Sequence, residues 1–209
     1  MMNDTTRKKW DAFAKVYKWN SWGPEKRWAD IKKQFFSKMG DGKILFMAVG
    51  VGTEISYFPK GKDIVGIDIS PEMLKRAAKN GEQYQGRLEF KEMDARKLSF
   101  NSGTFDQIFT SCTFCSVPDP VSGLRELNRV LKPEGELRMF EHTISRHFPF
   151  QQLLNLMNPI AEKIGPSLNR DTISNVKKAG FSIKGIYNIY LDIVKTIHAV
   201  SAPNDGETL

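Results

Sequence analysis

The chain is poor in cysteine and has no long apolar run. Only Cys112 and Cys115 occur among its 209 residues. One C-x-x-C pair cannot hold a domain of this size together by disulfides, and it lacks the second ligand pair of a structural zinc site. No stretch approaches the roughly 18 uninterrupted apolar residues of a membrane span, and residues 1–9 lack the apolar core of a signal peptide. We therefore expect one cytoplasmic globular domain without a bound metal.

Positive charge is concentrated at the N-terminus. The net charge is +7, and residues 1–43 hold eleven Lys/Arg against five Asp/Glu together with all four tryptophans. This segment suits a lid over a cleft, an interfacial membrane segment or a nucleic-acid arm. It carries no recognised nucleic-acid reading motif, so we favour a lid that also contacts a lipid surface, with a lid alone as the alternative.

The rest of the chain alternates apolar runs with amphipathic stretches, which predicts an α/β fold. Strands are predicted at residues 44–49, 64–67, 88–92, 105–110 and 136–141. They are interpreted as five β-α units. Helices within these units are predicted at residues 72–80 and 121–131. Further helices are predicted at 150–164 and 170–179. The last two runs, 181–187 and 190–200, have no crossover helix between them and should pair antiparallel.

A glycine turn after the first strand is a candidate nucleotide site. Gly50 and Gly52 let the backbone approach a ligand closely, and the following helix would offer free N–H groups. Asp68 ends the next strand, where a carboxylate can accept both hydroxyls of a ribose. Ile55 stands where the dinucleotide fingerprint has its third glycine, and no P-loop lysine follows, so NAD and ATP are disfavoured.

These segments resemble the class I S-adenosylmethionine-dependent methyltransferases, in the branch called methyltransferase type 11 or ubiquinone/menaquinone-methyltransferase-like. The matching blocks are residues 48–53 (AVGVGT), 65–74 (VGIDISPEML), 93–95 (MDA), 103–106 (GTFD) and 127–135 (LNRVLKPEG). Residues 113–120, 140–142 and 158–170 also look like bacterial phospholipid N-methyltransferase-like proteins and thiol methyltransferases. The resemblance implies a Rossmann-like doubly wound sheet, mostly parallel with an antiparallel C-terminal hairpin, and an N-terminal helical cap.

The resemblance also implies a division of labour within one domain. Residues 1–42 would form the lid, 43–142 the cofactor-binding core, and 143–200 helices and strands that contribute to the substrate site. Asp68 would hold the ribose of S-adenosylmethionine, Ile69 would pack on its adenine, and Asp94 with Ala95 would meet the adenine edge. The remaining implied cofactor residues are Val49, Gly50, Gly52, Glu54, Met73, Ser111 and Cys112.

Two positions depart from the family pattern. The family usually has an acidic residue where Ala48 stands and a third glycine where Glu54 stands. Glu54 could recognise the ammonium group of the cofactor, or it could crowd the site. The second case would make the chain a non-catalytic S-adenosylmethionine- or S-adenosylhomocysteine-binding protein, which is the alternative function.

Methyl transfer needs placement of the acceptor and, where required, a base. His142, at the end of the fifth predicted strand, is the candidate base; its alternative role is a hydrogen bond to a loop. Tyr17 matches a tyrosine that covers the cofactor in relatives, or else packs in its helix. Asn169 and Arg170 could bind a phosphate or carboxylate of the substrate, or form a helix N-cap with a solvated arginine.

The residues after the fourth strand bear on the acceptor. They are Cys112-Thr113-Phe114-Cys115 and not the Asn/Asp-Pro-Pro-Tyr of enzymes that methylate bases or amides. Cys115, like Cys112, should line the cavity or be buried. We predict a methyltransferase for a lipid-like or apolar small molecule, such as a phospholipid amine, a quinone or phenol, or a thiol. It would be a monomer or homodimer, with peripheral membrane contact through residues 1–43.

Overall fold

The computed structural model describes residues 4–20, 22–164 and 166–201. These residues divide into two compact units between Ser99 and Phe100. They form seven strands, of which three pairs are parallel and two are antiparallel. The predicted α/β class with an antiparallel C-terminal pair is confirmed.

The first unit carries a parallel three-stranded sheet in the order β3-β2-β1. Its elements are α1 (Asp4–Asn20), α2 (Trp22–Phe36), β1 (Lys43–Met47), β2 (Asp63–Asp68), α3 (Pro71–Gly81) and β3 (Arg87–Glu92). The α3 helix begins as its sequence predicts, because the Ser70 hydroxyl accepts a hydrogen bond from the Met73 N–H and Pro71 occupies the first turn. Phe36, Phe46 and Phe58 form an edge-to-face cluster in its core.

The second unit orders its strands β4-β5-β7-β6. Its elements are β4 (Phe105–Ser111), α4 (Pro120–Val130), β5 (Leu131–His142), α5 (Phe150–Ile164), α6 (Thr172–Lys178), β6 (Phe181–Tyr190) and β7 (Val194–Ser201). β4 and β5 are parallel, whereas β7 pairs antiparallel with both β5 and β6. The turn between the last two strands lies at residues 191–193, slightly later than predicted.

Two local predictions are wrong. The segment after Gly52 is a single 3-10 turn, Thr53–Tyr57, and not an α-helix, because Pro59 follows at once. Residues 93–104, between β3 and β4, contain no helix. Polar turn residues fill this connection, so the count of five β-α units does not hold.

β5 is longer than predicted because it begins at Leu131 and includes residues 132–135, which separate the predicted helix from the predicted strand. The pairing of β4 with β5 shifts register there, with Phe105 opposite Leu131 and Gln107 opposite Glu136. A Cβ on Gly135 would lie 2.8 Å from the Leu131 side chain. The segment is therefore a bulge that keeps the strand continuous, and its glycine allows the close approach.

Candidate active site

The glycine turn of the first unit borders open space. Gly50 has φ +56°, and a Cβ built on it would meet no atom of the described residues within 4 Å. Gly52 has φ +79°, and its Cβ would lie 2.9 Å from the Ala77 Cα of α3. Gly52 thus lets the turn pack against α3, while Gly50 leaves room on its other side. Ala48, one of the two departures from the family pattern, adopts a positive φ of 53° without being glycine.

Asp68 closes β2 beside this turn. Its Oδ2 accepts a hydrogen bond from the Gly50 N–H and its Oδ1 one from the Ser70 N–H, both at 2.9 Å. Burial raises the pKa of this carboxyl, although the backbone hydrogen bonds oppose the shift. The Ile69 backbone contributes a further hydrogen bond to this carboxylate. Since a carboxylate has about four acceptor positions, capacity for a ligand remains.

The α1 helix lies over the same strand ends. The Ser70 hydroxyl donates to Asp11 of α1 at 2.5 Å, and Arg7 lies 3.2 Å from Glu92 at the end of β3. Ala14 packs with Val51 and Met73, and Trp10 and Phe13 flank this cluster. Met73 is therefore part of the packing between α1 and α3. The Tyr17 side chain lies outside the described residues, as do those of Trp19 and Trp22.

Glu54 is held by residues of its own unit. The Lys32 ammonium of α2 lies 2.8 Å from Glu54 Oε1, with both side chains largely buried, and the Thr53 hydroxyl donates to Oε2 at 2.9 Å. The sequence offered two roles for this carboxylate, ammonium recognition or crowding. The structure adds a third, an intramolecular ion pair with Lys32.

Asp94 forms a local turn with Arg96. Its Oδ1 accepts from the Arg96 backbone N–H at 2.9 Å and from Nε at 3.0 Å, and Oδ2 lies 2.6 Å from Nη2. A bidentate guanidinium therefore engages the carboxylate that was expected to meet the adenine. The half-buried Ala95 and Ile69 lie beside Asp94 and Asp68 in sequence.

In the second unit, Glu141 is a buried carboxylate to which the sequence assigns no role. It is fully buried at the end of β5. Its Oε1 accepts from the Thr110 hydroxyl at 2.6 Å and the Thr113 N–H at 3.1 Å, and its Oε2 accepts from the Phe114 N–H at 3.1 Å. Desolvation outweighs these hydrogen bonds and raises its pKa to about 7. Glu141 thus holds in place the segment that follows β4. An acidic residue directly after the apolar Met139 and Phe140 was the signal in the sequence.

His142 is the next residue and has the opposite environment. Its ring is half-buried, and its Nδ1 is buried without a hydrogen-bond partner among the described residues. Burial lowers its pKa below the ordinary 6.5, so the imidazole is neutral at pH 7 and can accept a proton. No loop hydrogen bond to this nitrogen, the alternative role, is found among the described residues.

The cysteines differ in exposure. Cys112 is exposed and has φ +51°, directly after the half-buried Ser111. Cys115 is buried, and desolvation, with a smaller effect of Glu141, raises the pKa of its thiol to about 12. A thiol with that pKa is not a nucleophile at neutral pH, in agreement with the expectation of burial.

The expectation that Asn169 and Arg170 begin a helix is wrong. Asp171 is the N-cap of α6 and accepts from the Ser174 N–H at 3.0 Å. Asn169 accepts from the Ser167 hydroxyl and donates to Asn155. Arg170 Nη2 donates to the Val117 carbonyl at 3.4 Å, and its buried Nε has no partner among the described residues. The guanidinium therefore faces the segment after β4 and not solvent.

Comparisons with known proteins agree with the methyltransferase motifs. The family described as Methyltransferase domain matches residues 45–139. A ubiquinone/menaquinone biosynthesis C-methyltransferase of Citrifermentans bemidjiense is 30% identical over 157 residues, 72% of this chain and 67% of the relative. A phosphatidylethanolamine N-methyltransferase of Cereibacter sphaeroides is 33% identical over 103 residues, 48% of this chain and 51% of the relative.

A thiol S-methyltransferase of Rattus norvegicus is 29% identical over 173 residues, 75% of this chain and 70% of the relative. Among solved structures, an S-adenosylmethionine-dependent methyltransferase of Methanosarcina mazei has a TM-score of 0.63 at 24% identity. It covers 78% of this chain and 94% of its own. The last likeness concerns the fold alone. No group of side chains that could hold a metal ion occurs among the described residues.

Proposed function

Because this chain belongs to the class I S-adenosylmethionine-dependent methyltransferases, we propose that it methylates a lipid-like or apolar small molecule with His142 as the base. The observation that carries the assignment of the base is the buried Nδ1 of His142, which lacks a partner among the described residues. A buried polar atom without a hydrogen-bond partner costs free energy. Such an atom is retained where it serves catalysis. A neutral imidazole in that position is ready to accept a proton.

The cofactor of this family, when bound, supplies a methyl group on a positively charged sulfur. In this chain the turn at Gly50 borders open space, and Asp68 retains acceptor capacity for ribose hydroxyls. Ile69 and Ala95 offer small apolar surfaces beside the two acidic residues. Ser111 and Cys112 follow β4 and are assigned to the methionine portion on the strength of the family resemblance.

The chemical role of His142 is to hold the proton that the acceptor loses. A thiol, a phenol, an activated carbon or an ammonium becomes a better nucleophile once its proton has moved to a neutral base. The acceptor would then take the methyl group that the bound cofactor supplies. Glu141 positions the segment after β4 through the hydrogen bonds that it accepts from the Thr113 and Phe114 N–H groups.

The acceptor class is argued from the relatives and from the segment after β4. The three relatives named above are, by their names, enzymes of ubiquinone/menaquinone, phosphatidylethanolamine and thiol methylation. The segment after β4 contains the buried Phe114 and Cys115. These support an apolar acceptor over a nucleobase or amide.

We propose that α1 is the lid of the cofactor site. Its Asp11 contacts Ser70 after the end of β2, and its Arg7 contacts Glu92 at the end of β3. Ala14 packs on the glycine turn. Such a helix would exclude water from the reacting sulfur. Tyr17 remains a predicted cofactor contact. The described aromatic residues of α1, Trp10 and Phe13, pack against the protein.

The non-catalytic alternative depended on crowding by Glu54. The ion pair with Lys32 and the hydrogen bond from Thr53 give this carboxylate a position of its own. Titration with S-adenosylmethionine tests whether the chain binds the cofactor. Absence of binding at millimolar cofactor would contradict the assignment of the cofactor-binding residues.

Turnover to S-adenosylhomocysteine with a panel of phospholipids, quinones and thiols tests the proposal. We expect at least one apolar acceptor to support turnover, and we expect His142→Asn to reduce kcat by roughly 10²-fold or more. His147→Asn is the matched control, because His147 is exposed five residues away. Unchanged turnover in His142→Asn would remove His142 from the mechanism.

A further inference from the structure

The α5 helix differs from an ordinary surface helix, since it exposes most of its apolar side chains. Phe148, just before it, is 81% exposed, and Leu156 and Ile160 are 77% and 67% exposed. Helical periodicity places the exposed apolar residues on a continuous stripe. They are Phe150, Leu153, Leu156, Met157 and Ile160.

The contacts that hold α5 to the protein are centred on Asn158, whereas Gln152, Asn155 and Glu162 are exposed. Asn158 is buried, and its Oδ1 accepts from the Leu168 N–H at 2.7 Å and from the Ser167 hydroxyl at 3.1 Å. A helix normally buries its apolar face and exposes its polar one. Here polar contacts anchor the helix, and its apolar face remains available to a partner.

The turn between β6 and β7 extends this apolar face. Asp192 accepts from the Ser145 hydroxyl at 2.7 Å and from the Arg146 N–H at 2.6 Å, which fastens the turn to the segment leading into α5. Leu191 in this turn is exposed. Its φ is +48°, a conformation that a leucine rarely adopts. We call Phe148, the exposed stripe of α5, Tyr190 and Leu191 the apolar face.

The charge of the chain segment that carries this face indicates the surface that would cover it. The exposed Arg146 lies two residues before Phe148, and the exposed Lys184 lies two residues before Ile186. Residues 143–201 contain seven Lys/Arg and three Asp/Glu, whereas residues 44–142 contain thirteen and fourteen. The positive charge outside the N-terminal segment is thus concentrated on the part of the chain that exposes the apolar residues. Exposed apolar and aromatic side chains on a positively charged segment are typical of a surface that lies in the interface of an anionic bilayer.

The face also lies at the end of the second unit that carries His142. The Ser167 N–H donates to the Cys115 carbonyl at 2.8 Å, which joins the segment after α5 to the segment after β4. The Thr143 N–H donates to Ile193 in the β6–β7 turn at 2.8 Å. An apolar acceptor dissolved in a bilayer would therefore meet this end of the unit.

We infer that the second unit docks on an anionic lipid bilayer through the apolar face of α5 and the β6–β7 turn. No helix of the described residues is long and apolar enough to cross a membrane, so this contact is interfacial. It differs from the contact through residues 1–43 that the sequence suggests, and it does not depend on the identity of the methyl acceptor.

Co-sedimentation with vesicles, without cofactor or acceptor, separates this inference from the proposed activity. We expect the protein to bind vesicles of equal parts phosphatidylglycerol and phosphatidylcholine more tightly than vesicles of phosphatidylcholine alone. The double variant Leu156→Gln with Ile160→Gln should lower the partition coefficient by about tenfold or more, since two exposed apolar side chains no longer enter the interface. Both positions are exposed, so circular dichroism should show an unchanged fold.

The matched control replaces two lysines of α1, Lys8→Gln with Lys9→Gln, and should change the partition coefficient by no more than about threefold. All four tryptophans lie in residues 10–28, so native tryptophan emission reports the N-terminal segment during the same titration. The inference is overturned if the protein binds neither vesicle, or if the Leu156/Ile160 variant binds as well as the native chain. It is likewise overturned if ultracentrifugation without lipid shows a dimer that this variant dissociates.

Discussion

Asp68 and Glu141 are buried carboxylates at strand ends, one in each unit, and they do different work. Both accept backbone N–H groups, and burial raises the pKa of both. Glu141 is enclosed by three donors that all belong to β4 and the segment after it. Asp68 accepts backbone N–H groups only, and it lies beside a glycine turn that borders open space. The difference is one of surroundings: Asp68 has space beside it for a further donor, whereas the donors of Glu141 hold the segment after β4 in place.

The largest expected effect is on stability and comes from Glu141. Glu141→Ala leaves the buried N–H groups of Thr113 and Phe114 without their acceptor, which should lower the free energy of unfolding by about 2–5 kcal/mol. Urea denaturation measures it. Glu136→Ala on the same strand is the control, because that half-exposed residue should cost about 1 kcal/mol or less. Equal losses in the two variants would contradict a structural role specific to Glu141.

The pH dependence of stability tests the same carboxyl without removing it. Because the folded pKa of Glu141 is raised from 4.5 to about 7, the native state binds a proton that the unfolded state releases first. The stabilisation of the folded state by the protonated Glu141 is therefore fully present below pH 4.5, and it is lost as the pH rises through about 7. The free energy of unfolding should decrease by about 3 kcal/mol over this range. Glu141→Gln should flatten this part of the profile. An identical slope in that variant would assign the titration to another group.

Asp68 should affect ligand binding more than folding. Asp68→Asn weakens the acceptor at the ribose position, and we expect the affinity for S-adenosylmethionine to fall by about 10- to 100-fold. Isothermal titration measures the loss. Asp63→Asn changes the other end of the same strand, where the carboxylate lies 3.7 Å from Arg87 on the surface, and should leave affinity unchanged. Equal affinity in Asp68→Asn and the native chain would contradict a role of Asp68 in cofactor binding.

The smallest effect concerns the acid limb of activity. The pKa of His142 is lowered by burial, so its neutral form persists below pH 6.5 and falls away only at more acidic values. We expect kcat/KM to decline below pH 6.5 with one protonation in the native chain and in His147→Asn. An acid limb centred above pH 7 would be incompatible with His142 as the base.

Much of the first unit follows from local sequence. Pro71 and Ser70 begin α3, and Asp68 ends β2, as their spacing predicts, because caps and strand ends depend on neighbouring residues. The sequence predicts the fifth strand only over residues 136–141, since a strand that extends back through Pro133 and Gly135 requires the partner β4 to hold it. The 3-10 turn after Gly52 was likewise read as a helix.

Sequence by itself determined the glycine turn, the position of Asp68, the antiparallel end of the chain and the methyltransferase family, since each depends on residues close together or on motifs in a fixed order. Only the tertiary structure decided that Glu141 is enclosed, that Glu54 pairs with Lys32, and that α5 turns its apolar stripe outward. The partners of a buried carboxylate come from distant parts of the chain. A helical period defines a stripe of apolar residues without defining the direction in which it faces, and that direction is set by contacts such as those of Asn158.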